Sequence, residues 1–269
     1  MYRILLVFLL ASTTLSAQLI CKGILTDSAT HQPIEFANIG IIGKGFGTVT
    51  NEKGEYSFTI PDSLSNSKVM VSLIGYRSKR MSASDLRRLS SIHLTQESIN
   101  LGEVAVSSKK IKTKILGNKT DSKNISAGFK NNTLGAEMAI RLHIKHKQTH
   151  LKKLMFQINN NTIDNVIFRC NIYSVDKKGY PDQNILKQNL LITAVEKTGL
   201  QTFDLTPYNL FLDEDVFISL EWVKDLGDAS KLMFATKIIG SATYFKQASQ
   251  DKWEKVTPIG IGLYVEAAY

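Results

Sequence analysis

From about residue 19 onward, apolar residues almost never recur at helical spacing; short runs that alternate apolar and polar residues follow one another, separated by turn signals. Successive side chains of a strand point to opposite faces, so such runs build sheets with one covered face. "GTVTNEKGEYSFTIP", Gly47 to Pro61, is the clearest case: Tyr56, Phe58 and Ile60 share one parity, and Ser57 and Thr59 the other. Between its halves, "NEKG" offers Asn51 and Gly54, residue types that shape a hairpin turn. A calcium loop at "NEKGE" would need ligands at alternating positions over about 12 residues and a closing Glu, which are missing. Further runs stand at "LICKGILTD", "EFANIGIIG", "KVMVSLIGYRSK", "SIHLTQ" and "GEVAV". One helical turn is expected at Ser82 to Leu89, with Ser84 or Asp85 as N-cap. Seven short strands with close turns predict a small β-sandwich over residues 18–106.

Residues 107–129 are polar, lysine-rich and weakly patterned, and read as a linker or a loosely attached strand between the domains. Strands resume over residues 130–269, from "EMAIRLHIKH" to "GIGLYVEAA", and predict a second, larger, jelly-roll-like sandwich. The expected protein is all-β, with two sandwich domains and no internal repeat.

Compartment follows from the first residues. "MYRILLVFLLASTTLSA" has Arg3, an apolar stretch from Ile4 to Leu10 and small residues up to Ala17, the pattern of a secretory signal over residues 1–17. The stretch is shorter than the roughly 20 residues a membrane span needs, and no other segment qualifies. The expected protein is exported: periplasmic, associated with the outer membrane, or secreted. Ile20 stands before Cys21 where a lipid-anchoring signal wants a small residue, which argues against a lipoprotein. Cys21 and Cys170 are too few for a disulfide framework; they are either two buried thiols or one bridge between the domains. The net charge of +9 admits an anionic partner or a solvated basic surface. Its densest groups are Ser107–Lys114, Arg141–Lys153 and Asp85–Arg88.

Across the first domain the ordered signals are Gly23, Thr26-Asp27, Pro33, Ala37, the Gly47–Phe58 hairpin, Gly75-Tyr76 and the terminal Leu101–Val106. This series resembles the carboxypeptidase-regulatory-like domain of Bacteroidetes surface proteins. The resemblance implies a seven-stranded transthyretin-like sandwich over roughly residues 22–106. It makes Gly47, Asn51, Gly54, Gly75 and Tyr76 structural positions, with Tyr76 expected to reach a backbone partner through its hydroxyl. Larger relatives couple this domain to a receptor barrel or a zinc peptidase. Here residues 130–269 follow the linker, and none of the five histidines has Glu three positions later. Transport and peptidase activity are therefore not carried over.

Remaining candidates are weaker. His143 and His146 on one strand would point to opposite faces, so no metal site is expected. Glu221 reads as an outward residue between inward Leu220 and Trp222, and no nucleophile or phosphate-binding motif occurs. No catalysis, cofactor or nucleic-acid partner is expected. Tyr180, Tyr208, Tyr244 and Trp253 fall in or beside predicted turns, where aromatic rings stack on sugars or pack over sandwich ends. The expectation is a non-catalytic binding or scaffolding protein of the cell envelope, engaging a protein or glycan partner. Its alternative is a carbohydrate-binding accessory protein that uses those four aromatics.

Overall fold

The computed structural model describes residues 18–97, 112–130, 133–162, 165–224, 231–239 and 241–269. The signal segment and the strand expected at Gly102–Val106 lie outside the described residues.

The first domain is built from β1 (Gln18–Asp27), β2 (Asn38–Ile41), β3 (Gly47–Val49), β4 (Glu55–Pro61), β5 (Lys68–Ser72), β6 (Lys79–Ser82), α1 (Ala83–Arg88) and β7 (Ser91–Leu94). One sheet has the order β4-β1-β7 and the other β3-β2-β5-β6, so seven strands enclose the core. The long fifth run divides at Gly75, φ +89°, into β5 and β6, so these seven are not the expected seven, the last of which lies outside the described residues. Cys21, Leu25, Tyr56, Ile60, Val69 and Val71 meet between the sheets, and Phe58 packs partly buried against them. The helix lies within the expected segment, but its cap stands two or three residues earlier than expected. Ser82, not Ser84 or Asp85, is the N-cap, and its hydroxyl accepts the Asp85 N–H at 3.0 Å.

"NEKG" is a turn. Asn51 Oδ1 accepts the backbone N–H groups of Lys53 and Glu55, each at 2.9 Å, and Gly54 takes the left-handed backbone at φ +73°. Gly47 is needed for another reason: a Cβ there would stand 2.5 Å from the carbonyl oxygen of Ser249 in the second domain. The Tyr76 hydroxyl accepts from the Gln96 side chain at 3.4 Å, rather than meeting the backbone.

The second domain begins earlier in the chain than expected. β8 (Thr113–Gly117) pairs with β22 (Leu263–Ala268), and β9 (Ser126–Lys130) with β18 (Lys231–Ile238), so of the two readings of residues 107–129 the attached strand holds here. β8 hides from pattern reading because most of its side chains face solvent. The other strands are β10 (Glu137–Leu142), β11 (Thr149–Asn161), β12 (Val166–Val175), β13 (Pro181–Asn184), β14 (Leu190–Ala194), β15 (Gly199–Asp204), β16 (Phe211–Leu212), β17 (Val216–Trp222), β19 (Thr243–Lys246), β20 (Glu254–Val256) and β21 (Ile259–Ile261). One sheet runs β21-β18-β11-β22-β8, with β15 and β16 also on β11 and β9 on β18. The other runs β13-β12-β17-β10-β19-β20, with β14 on β12. The chain passes repeatedly from one sheet to the other, as a jelly roll requires. Between them lie Phe129, Phe156, Phe168, Trp222 and Phe234; Phe156 meets Phe168 edge-on at 5.7 Å and Phe234 at 5.8 Å. Among the described residues no helix is long and apolar enough to cross a membrane.

Candidate binding face and its buried ionic row

The strands β12, β17, β10 and β19 lie side by side, and their register sets Arg169, Glu221, Glu137 and Lys246 in one lateral row. The row is on the opposite side of the sheet from Phe168, Cys170 and Leu220. On an outer face these charges would be wet. Instead Glu137 is 0% exposed, Glu221 1% and Arg169 2%. Burying ions is costly unless each finds a partner and hydrogen bonds. Each does. Arg169 Nε donates to Glu221 Oε2 at 2.8 Å, and Lys246 Nζ reaches Glu137 Oε2 at 2.7 Å. Asn171 Nδ2 bridges both carboxylates at 2.9 and 3.0 Å, while Tyr173 and Ser219 donate hydroxyls to Glu137. Burial alone would raise the Glu137 carboxyl; the Lys246 ammonium, then the Ser219 and Asn171 donors, outweigh it and hold the group below its ordinary range. Burial, then the Glu137 charge, pushes the Tyr173 phenol well up.

The first domain covers the Arg169 end of the row, while Tyr173 and Trp253 lie against Lys246 at the other end. Arg169 Nη1 donates to the carbonyl of Phe36 at 2.6 Å and Nη2 to Asn38 Oδ1 at 3.0 Å. Asn38 and Gly40 point away from the first core because they alternate with inward Ile39 and Ile41. A Cβ at Gly40 would lie 2.2 Å from the Ser249 carbonyl oxygen, so glycine lets the second domain's loop sit against β2. Ser249 Oγ donates to Asn38 Oδ1 at 2.8 Å, and Gln250 Nε2 to Ser72 Oγ at 2.7 Å. Phe36 and Val49 pack with Val223, against partly buried Ile167 and Leu191. At the rim, Lys224 pairs with Glu52 of the hairpin turn at 2.9 Å. Glu221 is thus buried and paired, contrary to the outward placement expected of it. The alternation was read correctly; nothing in the sequence shows that another domain lies over that side.

Three of the four expected aromatics gather beyond the ionic row. Tyr180 meets Tyr244 edge-on at 5.4 Å, and Tyr244 meets Phe217 at 4.6 Å. Trp253 lies edge-on to Tyr173 at 5.5 Å, with Lys246 Nζ 4.4 Å from its centroid. Tyr208 is elsewhere, in a short 3-10 turn packed against the large core. Tyr244 is no loop platform: it stands within β19, 5% exposed, covered by its ring neighbours. Tyr180 and Trp253 are half-buried and keep some surface for a ligand.

The histidines separate. His143 Nδ1 lies 2.8 Å from Asp215 Oδ2, His146 stacks on Tyr269 at 4.0 Å, and His150 on Phe211 at 4.2 Å. Among the described residues no group of three or more His, Cys, Asp or Glu could hold a metal ion. Cys21 and Cys170 are free, buried thiols, one in each domain, which decides between the two readings of the sequence.

No curated protein matches the chain. Among solved structures, the infectious bursal disease virus Gt strain is similar at 10% identity and a TM-score of 0.31, covering 93% of this chain and 63% of that one. The subviral particle of VP2 from the same virus is similar at 9% identity and a TM-score of 0.28, covering 93% and 63%. The chain therefore spans less than two thirds of the viral chains it matches. The family comparison agrees with the hairpin, the paired sheets and the core of the first sandwich: residues 21–106 match the model of the CarboxypepD_reg-like domain, and the first domain carries that family's fold.

Proposed function

We propose that the protein is an exported, non-catalytic binding or scaffolding component of a Bacteroidetes-type cell envelope, periplasmic or held at the outer membrane. The observation that carries this reading is the seam. A regulatory-type sandwich is docked through a buried ionic row onto a second sandwich, which fixes the relative position of their remaining faces for a protein or glycan partner. The paired carboxylates at the seam support the non-catalytic part. Glu137 is locked to Lys246 and Glu221 to Arg169, and Glu137 is held in the charged form, so it has no proton to give as a general acid. Cell fractionation with N-terminal sequencing tests export: the mature chain is expected to begin at Gln18 outside the cytoplasm. A cytoplasmic protein retaining Met1, or turnover of peptide or glycan substrates by the purified protein, would contradict it.

A second reading is supported by the gathering of Tyr180 and Trp253 beside Tyr173 and Tyr244: a carbohydrate-binding accessory protein stacking sugars on the two half-buried rings. A neutral-glycan array separates the two. Binding lost in Trp253→Ala and Tyr180→Ala favours the second; no neutral-glycan binding leaves the first.

A further inference from the structure

A concavity of about 530 Å³ opens between β8, β10, β18 and β20, and is lined by Lys114, Arg141, His143, Lys145, Lys237 and Lys255. These cations come from parts of the sequence up to 141 positions apart, since Lys114 and Lys255 both reach it. Lys114 arrives through the pairing of β8 with β22, Lys237 opposite Gly260, and Lys255 opposite Tyr244. Two of the dense basic groups in the sequence, one ending at Lys114 and one beginning at Arg141, thus meet in space.

Among the described residues no carboxylate lines the concavity. Asp215 pairs with Arg141 at 3.0 Å and lies 2.8 Å from His143 Nδ1. Lys114, Lys145, Lys237 and Lys255 have no carboxylate partner among the described residues, and all four are exposed. Like charges gathered in a hollow raise a positive field that an anion relieves. The remaining lining mixes apolar surface (Ile115 and Ile140) with neutral polar groups, including the Ser241 hydroxyl. That combination suits a ligand with apolar ring faces, hydroxyls and fixed negative charges, and the volume is in the range of small-ligand sites.

We propose that this concavity binds an anionic oligosaccharide bearing carboxylate or sulfate groups. The apolar and hydroxyl-bearing lining between the lysines favours a sugar over a flat membrane of headgroups. The proposal deepens the binding function above by naming a ligand class, at a site apart from the Trp253 and Tyr180 rings.

Calorimetric titration of the full mature chain tests it, with hexagalacturonate as the carboxylate probe, a heparin-derived hexasaccharide as the sulfate probe and maltohexaose as the neutral control. At least one acidic hexamer is expected to bind, weakening as salt rises from about 50 to about 500 mM, while maltohexaose is silent. Lys114→Glu with Lys237→Glu is expected to weaken binding by about tenfold or more. Lys22→Glu with Lys79→Glu makes the same charge change on exposed lysines of the first domain and is expected to alter affinity by less than about twofold. Binding by one acidic hexamer alone identifies which charged group is read. The proposal is overturned if neither acidic hexamer binds, if both reversal pairs weaken binding equally, or if phosphatidylglycerol vesicles or duplex DNA compete as well as the hexamers. None of these outcomes bears on the neutral-glycan array or the fractionation, so the broader reading fails or stands separately.

Discussion

The two sides of one sheet in the second domain are built from opposite materials. Alternate residues of β12 send Phe168, Cys170 and Ile172 into the apolar core, and Arg169, Asn171 and Tyr173 onto the polar side, where Arg169 meets the first domain. The apolar side tolerates many neighbours of similar shape and supplies stability in bulk. The ionic side is satisfied in one arrangement only. Arg169 meets Glu221 within its own sheet and the Phe36 carbonyl and Asn38 across the seam, so shifting the first domain would strip a buried guanidinium of two of its acceptors. We read the core as what keeps the second sandwich folded and the ionic row as what fixes where the first sandwich sits.

Substitutions on the two sides sharpen that contrast. The largest loss is expected for Phe156→Ala, where an enclosed ring leaves a cavity worth about 4 kcal/mol in urea unfolding. Next is Arg169→Leu, which strands Glu221 in the seam and is expected to cost about 3 kcal/mol. Here the two materials should part: adding Glu221→Leu is expected to return much of the loss, because the pair is then replaced rather than broken, while no second substitution so simply restores Phe156→Ala. If the double variant is as unstable as the single one, the ionic row is not the cause.

Acid should act through the ionic side. Because the Glu137 carboxyl is lowered from 4.5 in the folded protein, the unfolded chain takes up its proton first as pH falls. The stability it contributes is complete above 4.5 and drains away below it. Glu137→Gln is expected to be less stable at neutral pH and to lose stability less steeply below that value. Equal acid slopes in the two proteins would remove Glu137 from the account. The smallest effect, under about 1 kcal/mol, is expected for Lys224→Ala, whose pair with exposed Glu52 lies at the rim of the seam.

The same contrast explains what could be read from the sequence. The apolar side was legible because alternation alone places Phe168 or Leu220 inward, and the hairpin because Asn51 and Gly54 act within a few residues of chain. The ionic side was not. Arg169, Glu221 and Glu137 look like ordinary outward residues, and only the unusual sight of single charges inside "VIFRCNIYSV" and "SLEWV" hinted that they are covered. β8 escaped because an exposed, lysine-rich edge strand lacks the apolar alternation that betrays others. Tyr180 and Trp253 stand in loops between strands and keep surface; Tyr244 stands in the strand run "ATYFKQA", which does not show that its ring would be roofed by Tyr180.

The central claim, that the ionic row and its glycines make one unit of the two sandwiches, has reporters already in the chain. Cys21 is enclosed in the first core and Cys170 in the second, both free, so pulsed thiol labelling across a urea series reads each domain separately. In the wild-type protein both thiols are expected to become reactive at the same urea concentration. Gly40→Ala, which drives a methyl group into the Ser249 carbonyl, is expected to move the Cys21 transition to lower urea than that of Cys170. Separate transitions in the wild-type chain, or an unmoved Cys21 transition in Gly40→Ala, would contradict the account.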